Sequence, residues 1–445
     1  MTTNLTQVSH SRSTSQQFLI SKTDAKPSVV TPLKKLSPNK DALLAAFPEL
    51  QFGQSLIDTA METLNSAHKF GALAIKIDAF ALDKPGMDQN GILMSVAESI
   101  HAVIQHEDAI WGQLEPEIFV CFLSDMMAPS CFKIGKDIQE NLSGLRSETV
   151  TIGVAAYPAV NYQKPNILDN AKKALDHAAF FGPNSIVSFD SVSLNISGDK
   201  RYADGDVHGA IEEFKRALLL DPSNINVHNS LGVCYGVLGK LNQAKEEFET
   251  ANWLNPDEYM AIYNTGVINL LLEKKNDALE SFQKAHRLSE DVFEISLETG
   301  RLCVELKDYK NGQKYLEEAV RLNSSSSSAY RSLGECYEAL DMMDPSIRAY
   351  RSAIKLNPND SAALSSLGCL FDLKGENSEI STTFCRQSVE ISPDNGLYRH
   401  RLGHLYLKQN RYEAALVEFQ EAHRLGYDSD RQIKKTQDIL DAGAS

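Results

Sequence analysis

The hydrophobic positions change period along the chain. Residues 1–38 are rich in Ser, Thr, Lys and Pro and have little periodicity, which predicts a disordered tail. From Lys40 to Lys69 apolar residues recur at helical spacing: Leu43, Leu44, Phe47 and Leu50, then Leu56, Ile57, Ala60 and Leu64. Pro48 and Gly53 divide this lead-in (residues 39–69) into two helical pieces. The stretch Ala72-Leu-Ala-Ile-Lys-Ile-Asp78 reads as a buried strand. Ile92 to Ile104 reads as an amphipathic helix, and Ala109 to Trp111 with Ile118 to Leu123 as a hairpin. A helix follows over Phe132 to Leu142, then a strand over Val150 to Ala156. Ile167 to Phe181 is a third helix, ended by Gly182-Pro183, and Ile186 to Phe189 a last strand. This order predicts an α+β domain over residues 70–192, a sheet with helices on its face.

Beyond it the period lengthens. Glycines stand at 198, 232, 266, 300, 334 and 368, each 34 residues after the last, and then at 403. Around them run Leu231-Gly232-x-x-Tyr235, Leu333-Gly334-x-x-Tyr337 and Leu402-Gly403-x-x-Tyr406. Downstream come Ala210-x-x-x-Phe214-x-x-Ala217 and Ala244-x-x-x-Phe248-x-x-Ala251, with Pro222, Pro256, Pro358 and Pro393 closing units. The glycine sits where two helices cross, the large residues fill the space between neighbours, and proline ends the second helix. The pattern resembles the tetratricopeptide family. It predicts seven helix-turn-helix units over residues 196–428 and a capping helix from Asp430 to Leu440 within 429–445.

The resemblance implies an all-α superhelical solenoid whose first helices line a peptide-binding groove. By repeat position the early groove offers Asn226, Asn229, Tyr263, Asn264 and Val267. Its middle offers Glu294, Glu298, Arg301, Glu305, Arg331, Glu335 and Glu338. Its end offers His400, Arg401, His404 and Lys408. The acidic middle suits a protein or peptide partner with a basic segment; a solvated face with internal ion pairs is the alternative. Gly312, in place of a packing alanine, and the run Ser324 to Ser328, in place of the closing proline, predict the softest part of the array.

The α+β section resembles the GGDEF domain, the diguanylate cyclase palm fold. The resemblance rests on Ala74-Ile-Lys-Ile-Asp-Ala-Phe80, on Val150-Thr-Ile-Gly-Val-Ala-Ala-Tyr-Pro158, and on Ala171-x-x-Ala174-Leu-x-x-Ala178 with the strand ending in Phe189. It implies a homodimer that joins two GTP molecules through two metal ions. Three requirements of that chemistry fail here. Lys76 replaces the first acidic residue and leaves Asp78. Leu114-Glu115-Pro116-Glu117-Ile118 replaces the signature hairpin, so its glycines are gone and Glu117 alone matches an acidic position. Gln105-x-x-Asp108 replaces the arginine of the inhibitory product site. Asp78 and Glu117 are candidate vestigial nucleotide or metal contacts, or ordinary strand-end carboxylates.

Composition adds exclusions. A net charge of −15, without a basic tract of useful length, argues against nucleic-acid binding. No stretch approaches the ~20 apolar residues of a membrane span, and the N-terminus lacks a secretory pattern. Seven cysteines without CxxC spacing read as small buried hydrophobes in a reducing, cytoplasmic compartment. His101 and His106 have no ligand-like companions and read as surface residues. The expectation is a non-catalytic scaffold or adaptor without metal or cofactor, the GGDEF-like domain serving regulation or self-association as a homodimer. The alternative is a nucleotide-binding sensor or active diguanylate cyclase in cyclic di-GMP signalling.

Overall fold

The computed structural model describes residues 40–80, 88–375 and 377–443, so the expected tail over 1–38 lies outside the described residues. The chain divides into two compact units, Met1–Ile268 and Asn269–Ser445.

The first unit opens with α1 (Lys40–Ala46), a two-residue strand β1 (Gln51–Phe52) and α2 (Gly53–Thr63). Then come β2 (Phe70–Ile77), α3 (Gln89–Ile104), β3 (Ala109–Glu115), β4 (Ile118–Ser124) and α4 (Ala128–Leu145). β5 (Val150–Tyr157), α5 (Ile167–Ala178) and β6 (Ile186–Ser188) complete a mixed sheet of order β1-β3-β4-β2-β5-β6. β2 pairs antiparallel with both β4 and β5, while the edge strands β1 and β6 run parallel to their neighbours.

Helices cover both faces of this sheet, where the sequence pointed to one. The apolar run in β2 gives the reason, since a strand buried on both sides has no polar face to alternate. Leu73, Ile75 and Ile77 pack with Val96 and Ile100 of α3 and Ile138 of α4. Phe70, Ala72 and Ala74 pack on the other face with Leu56 and Ala60 of α2 and Ala171 and Leu175 of α5. Lys76 is the exposed residue of this strand, at its end.

The repeats begin directly after β6. Asp190 caps α6 (Ser191–Ala203) by accepting from the Ser193 N–H at 2.8 Å. α7 (Val207–Leu220), α8 (Ile225–Val237) and α9 (Leu241–Leu254) follow, and the boundary between the units falls within α10 (Tyr259–Leu271). A Cβ built on Gly232 would stand 2.6 Å from the Phe248 ring, so the ladder glycine is a steric requirement of the crossing. Glu213 of α7, almost fully buried, joins the first repeat to the sheet domain. It pairs with Lys173 of α5 at 2.7 Å, with Arg216 at 3.7 Å and with Arg201 at 3.8 Å. A charge taken out of water is costly unless it is paired.

The second unit continues with α11 (Lys275–Leu288), α12 (Phe293–Glu305), α13 (Tyr309–Leu322), α14 (Ser327–Ala339) and α15 (Met343–Leu356). It ends with α16 (Ser361–Leu373), α17 (Ser378–Ile391), α18 (Gly396–Lys408), α19 (Tyr412–Arg424) and α20 (Asp430–Gly443). Gly300 packs on Leu316, Gly334 on the Tyr350 ring and Gly403 on the Phe419 ring. The serine run is ordered by its own side chains: Ser326 accepts from the Ala329 N–H at 3.2 Å and caps α14. Among the described residues no helix is long and apolar enough to cross a membrane.

Candidate functional site

In the second unit the first helices α12, α14 and α18 contribute side chains to one surface. This surface holds two adjoining cavities, of about 450 and 500 Å3, both bordered by Glu335 and Ala362. α12 supplies Arg301 and Glu305, α14 supplies Arg331, Ser332, Glu335 and Glu338, and α18 supplies Tyr398 and Arg401. Of the expected groove, Arg301, Glu305, Arg331, Glu335 and Glu338 from the middle and Arg401 from the end border these cavities, and Glu294, Glu298, His400 and His404 do not.

The charges here are unequally satisfied. Arg301 pairs with Glu298 at 2.8 Å and donates to the Ser332 hydroxyl at 3.0 Å. Glu305 pairs with Lys275 at 2.8 Å. Arg331 turns to Asp360 at 3.2 Å, a nearly buried carboxylate that also caps α16 by accepting from the Ala363 N–H. This leaves Arg331 only 3.8 Å from Glu335, too long for a hydrogen bond. Desolvation by the groove walls raises the Glu335 pKa, and Asp360 and Glu338 raise it further against the pull of Arg331 and Arg301. The Tyr350 hydroxyl donates to Glu338 at 3.0 Å. Arg401 donates to the hydroxyls of Ser365 at 3.0 Å and Ser366 at 3.3 Å.

The other expected groove positions lie differently. Asn226 is exposed, and Val267 and Glu294 are half-buried. Asn229, Tyr263 and Asn264 are buried, and the Asn264 amide donates to Asn229 Oδ1 at 2.9 Å. They are interior positions here and not open groove. His400 faces the capping helix: its Nδ1 lies 2.7 Å from the hydroxyl of Ser429, which is buried. His404 Nε2 lies 3.1 Å from His400 Nε2, and burial holds the His400 pKa down at about 4. Both rings pack against Phe419.

In the first unit a cleft of about 600 Å3 lies at the end of β2. Asp78 and Glu117 both border it, with Lys76, Lys172, Asp176 and Lys200. Asp78 is engaged by the fold. The Thr149 and Thr151 hydroxyls donate to its two oxygens, each at 2.7 Å, and the Asn184 N–H donates at 2.8 Å. These bonds tie β2 to β5 and to the turn before β6. Glu117 sits at the β3–β4 turn, where its carbonyl accepts from the Ile77 N–H at 2.9 Å.

Sequence reasoning missed Asp360, Ser332, Ser365 and Ser366 in the groove, and Lys172, Asp176 and Lys200 in the cleft. The Asp360-Ser361 pair ahead of a helix is an N-cap signal and would have found Asp360. The three cleft residues lie on α5 and α6, far along the chain from β2, and carry no such signal.

Family models for tetratricopeptide repeats match residues 198–239, 297–361 and 398–425, and these segments are such repeats. Among solved structures the chain is similar to YrrB, described as a TPR protein with an unusual peptide-binding site. The identity is 22%, over 43% of this chain and 97% of that one, with a TM-score of 0.40. A tetratricopeptide repeat protein from Parabacteroides merdae is 19% identical over 56% of this chain and 98% of its own, with a TM-score of 0.41. MamA from Desulfovibrio magneticus is 19% identical over 38% of this chain and 95% of its own, with a TM-score of 0.36. No curated protein matches the chain.

Proposed function

We propose that the chain is a non-catalytic adaptor whose second unit captures an extended segment of a partner protein. A basic side chain of that segment would sit between Glu335 and Glu338. The observation that carries this reading is the half-exposed Glu335 carboxylate, which borders both cavities and stands 3.8 Å from Arg331, beyond hydrogen-bond reach. A partner's lysine or arginine would supply the missing hydrogen-bonded charge, and Arg401 would hold a backbone carbonyl or carboxylate beside it. Charges of this kind set selectivity and association rate. Panning a random peptide library on the full chain tests the idea. The expected peptides are enriched in Lys or Arg and are no longer retained by Glu335→Lys. Enrichment of acidic peptides, or retention unchanged by that substitution, would sink it.

On the same reading the sheet domain is a GGDEF-like module that serves regulation or self-association. Its residues do not fit the two magnesium ions of that family. Lys76 borders the cleft where a carboxylate would be needed, and the Asp78 oxygens already accept three hydrogen bonds. Among the described residues no group of three His, Cys, Asp or Glu side chains could hold a metal ion. One observation favours a second reading, a nucleotide sensor without turnover: Lys76, Lys172 and Lys200 all border the cleft. Calorimetric titration of the full chain with GTP and magnesium, assayed for cyclic di-GMP, separates the readings. Heat without product supports the sensor, no heat supports the adaptor alone, and product would overturn both.

A further inference from the structure

One repeat breaks the pattern at its helix crossing. The distance from ladder glycine to packing residue is the same for Gly300 and Leu316, Gly334 and Tyr350, and Gly403 and Phe419. At the same distance from Gly368 stands Phe384, yet the residue that faces Gly368 is Cys385. The added residue of this unit turns α17, and Phe384 packs beside Phe371 instead, with ring centroids 5.7 Å apart. A Cβ built on Gly368 would stand 2.6 Å from Cys385 Sγ.

The next residue of α16 is a second cysteine. Cys369 packs against the same apolar cluster as Cys385, whose thiol donates to the Ser365 carbonyl, one turn before Cys369 on α16, at 3.7 Å. Cys385 is fully buried and Cys369 is partly accessible. A disulfide needs two helices that approach closely, and the glycine crossing at Gly368, the residue before Cys369, brings α17 against α16 at this point. The pair therefore joins a partly accessible cysteine to a buried one seated against the same turn of α16.

We propose that Cys369 and Cys385 are a site of reversible oxidation by hydrogen peroxide, closing as a disulfide between α16 and α17. The Cys369 thiolate attacks the peroxide, the O–O bond breaks, and Cys369 becomes a sulfenic acid as hydroxide leaves. The Cys385 sulfur then attacks the sulfenyl sulfur, the S–O bond breaks, and the second hydroxide departs. The two thiol protons carry both hydroxides off as water. Two electrons pass from the thiols to the peroxide, and two thiols plus one peroxide give one disulfide and two waters.

The surroundings favour Cys369 as the first nucleophile. The neighbouring Cys385 thiol lowers its pKa, and the Arg401 cation adds to this against the effect of burial. Burial raises Cys131 and Cys234 to about 12, Cys303 and Cys336 to about 11, and Cys121 further still, while the neighbouring Cys369 and then burial raise Cys385.

The test uses the full chain, hydrogen peroxide, alkylation of the remaining thiols and mass spectrometry of the digest. The expected product is one linked peptide pair holding Cys369 and Cys385, reversed by dithiothreitol. Cys369 should be consumed at least about tenfold faster than Cys234. Cys385→Ala should stop the reaction at a sulfenic acid on Cys369, trapped by dimedone. Cys369→Ser should leave Cys385 reduced. Circular dichroism confirms that each variant is folded. Equal rates at all cysteines, or sulfinic acid on Cys369 without a linked peptide in the wild type, would overturn the assignment. Dimedone-inert Cys369 in a folded Cys385→Ala would do the same.

Discussion

The sheet cleft and the repeat groove hold the same kind of residue in opposite conditions. In the cleft, Asp78 accepts from two threonine hydroxyls and a backbone N–H, and its capacity is used in joining three strand ends. In the groove, Glu335 has only a distant arginine, because Asp360 takes the better part of Arg331. Each carboxylate borders a cavity of several hundred Å3, so space alone does not separate them. What separates them is the number of donors the fold has already aimed at each. A carboxylate that is satisfied internally holds structure, and one left half-desolvated and half-paired is ready for a ligand.

The largest effect should come from removing the satisfied one. Asp78→Ala leaves two hydroxyls and one N–H without their acceptor and should cost about 3 kcal/mol, read by urea unfolding. Binding of the selected basic peptides should be unchanged. Glu335→Gln should show the reverse: stability within about 0.5 kcal/mol and peptide affinity down at least about fivefold. Equal losses of stability in the two variants would erase the contrast.

A third carboxylate sharpens it. Asp199 of α6 is almost fully buried, and its pKa is pushed up to about 7 by desolvation, although the Ser230 hydroxyl donates to it at 3.3 Å. Between the ordinary carboxylate pKa and about 7 the folded state binds more protons than the unfolded one, so this contribution to stability is lost as pH rises through that window. Asp199→Asn removes the charge. It should stabilise the protein by on the order of 2 kcal/mol at pH 8 and by almost nothing at pH 4. The same gain at both pH values would show that charge is not the cause.

The smallest effect has the opposite sign and belongs to the second unit. His400 is held neutral, with its pKa at about 4 against the ordinary 6.5, chiefly by burial and then by His404. Between those values the unfolded chain binds more protons, so stability is lost as pH falls. Hydrogen exchange of α18 and α20 should quicken from pH 7 to pH 5 after correction for the intrinsic pH dependence of exchange. A His400→Phe variant should be insensitive to the change. Because the ring is only partly buried, the expected shift in Tm is about 2 °C.

Much of this could be read from the chain alone. The glycine ladder placed the helix crossings, and the apolar run in β2 announced a buried strand. Both follow from local sterics and hydrophobic period, which act within a few residues. The groove residues were legible in part. Repeat position put Arg301, Arg331 and Glu335 on one surface, but it could not give depth, and Asn229, Tyr263 and Asn264 proved to be buried. Phe384 shows a second limit, since the period put an aromatic at the Gly368 crossing and one added residue brought Cys385 there.

The sequence by itself determined the elements, their order and the repeat. Each of these is a property of residue type and spacing. Only the tertiary structure decided which charges are satisfied. Asp78 meets Thr149, Thr151 and Asn184, more than 70 residues further on, and Arg331 chooses Asp360 over Glu335 across a helix boundary. Whether a carboxylate is structural or available depends on donors brought from elsewhere in the chain and on the water that folding removes, and neither is written in its neighbours.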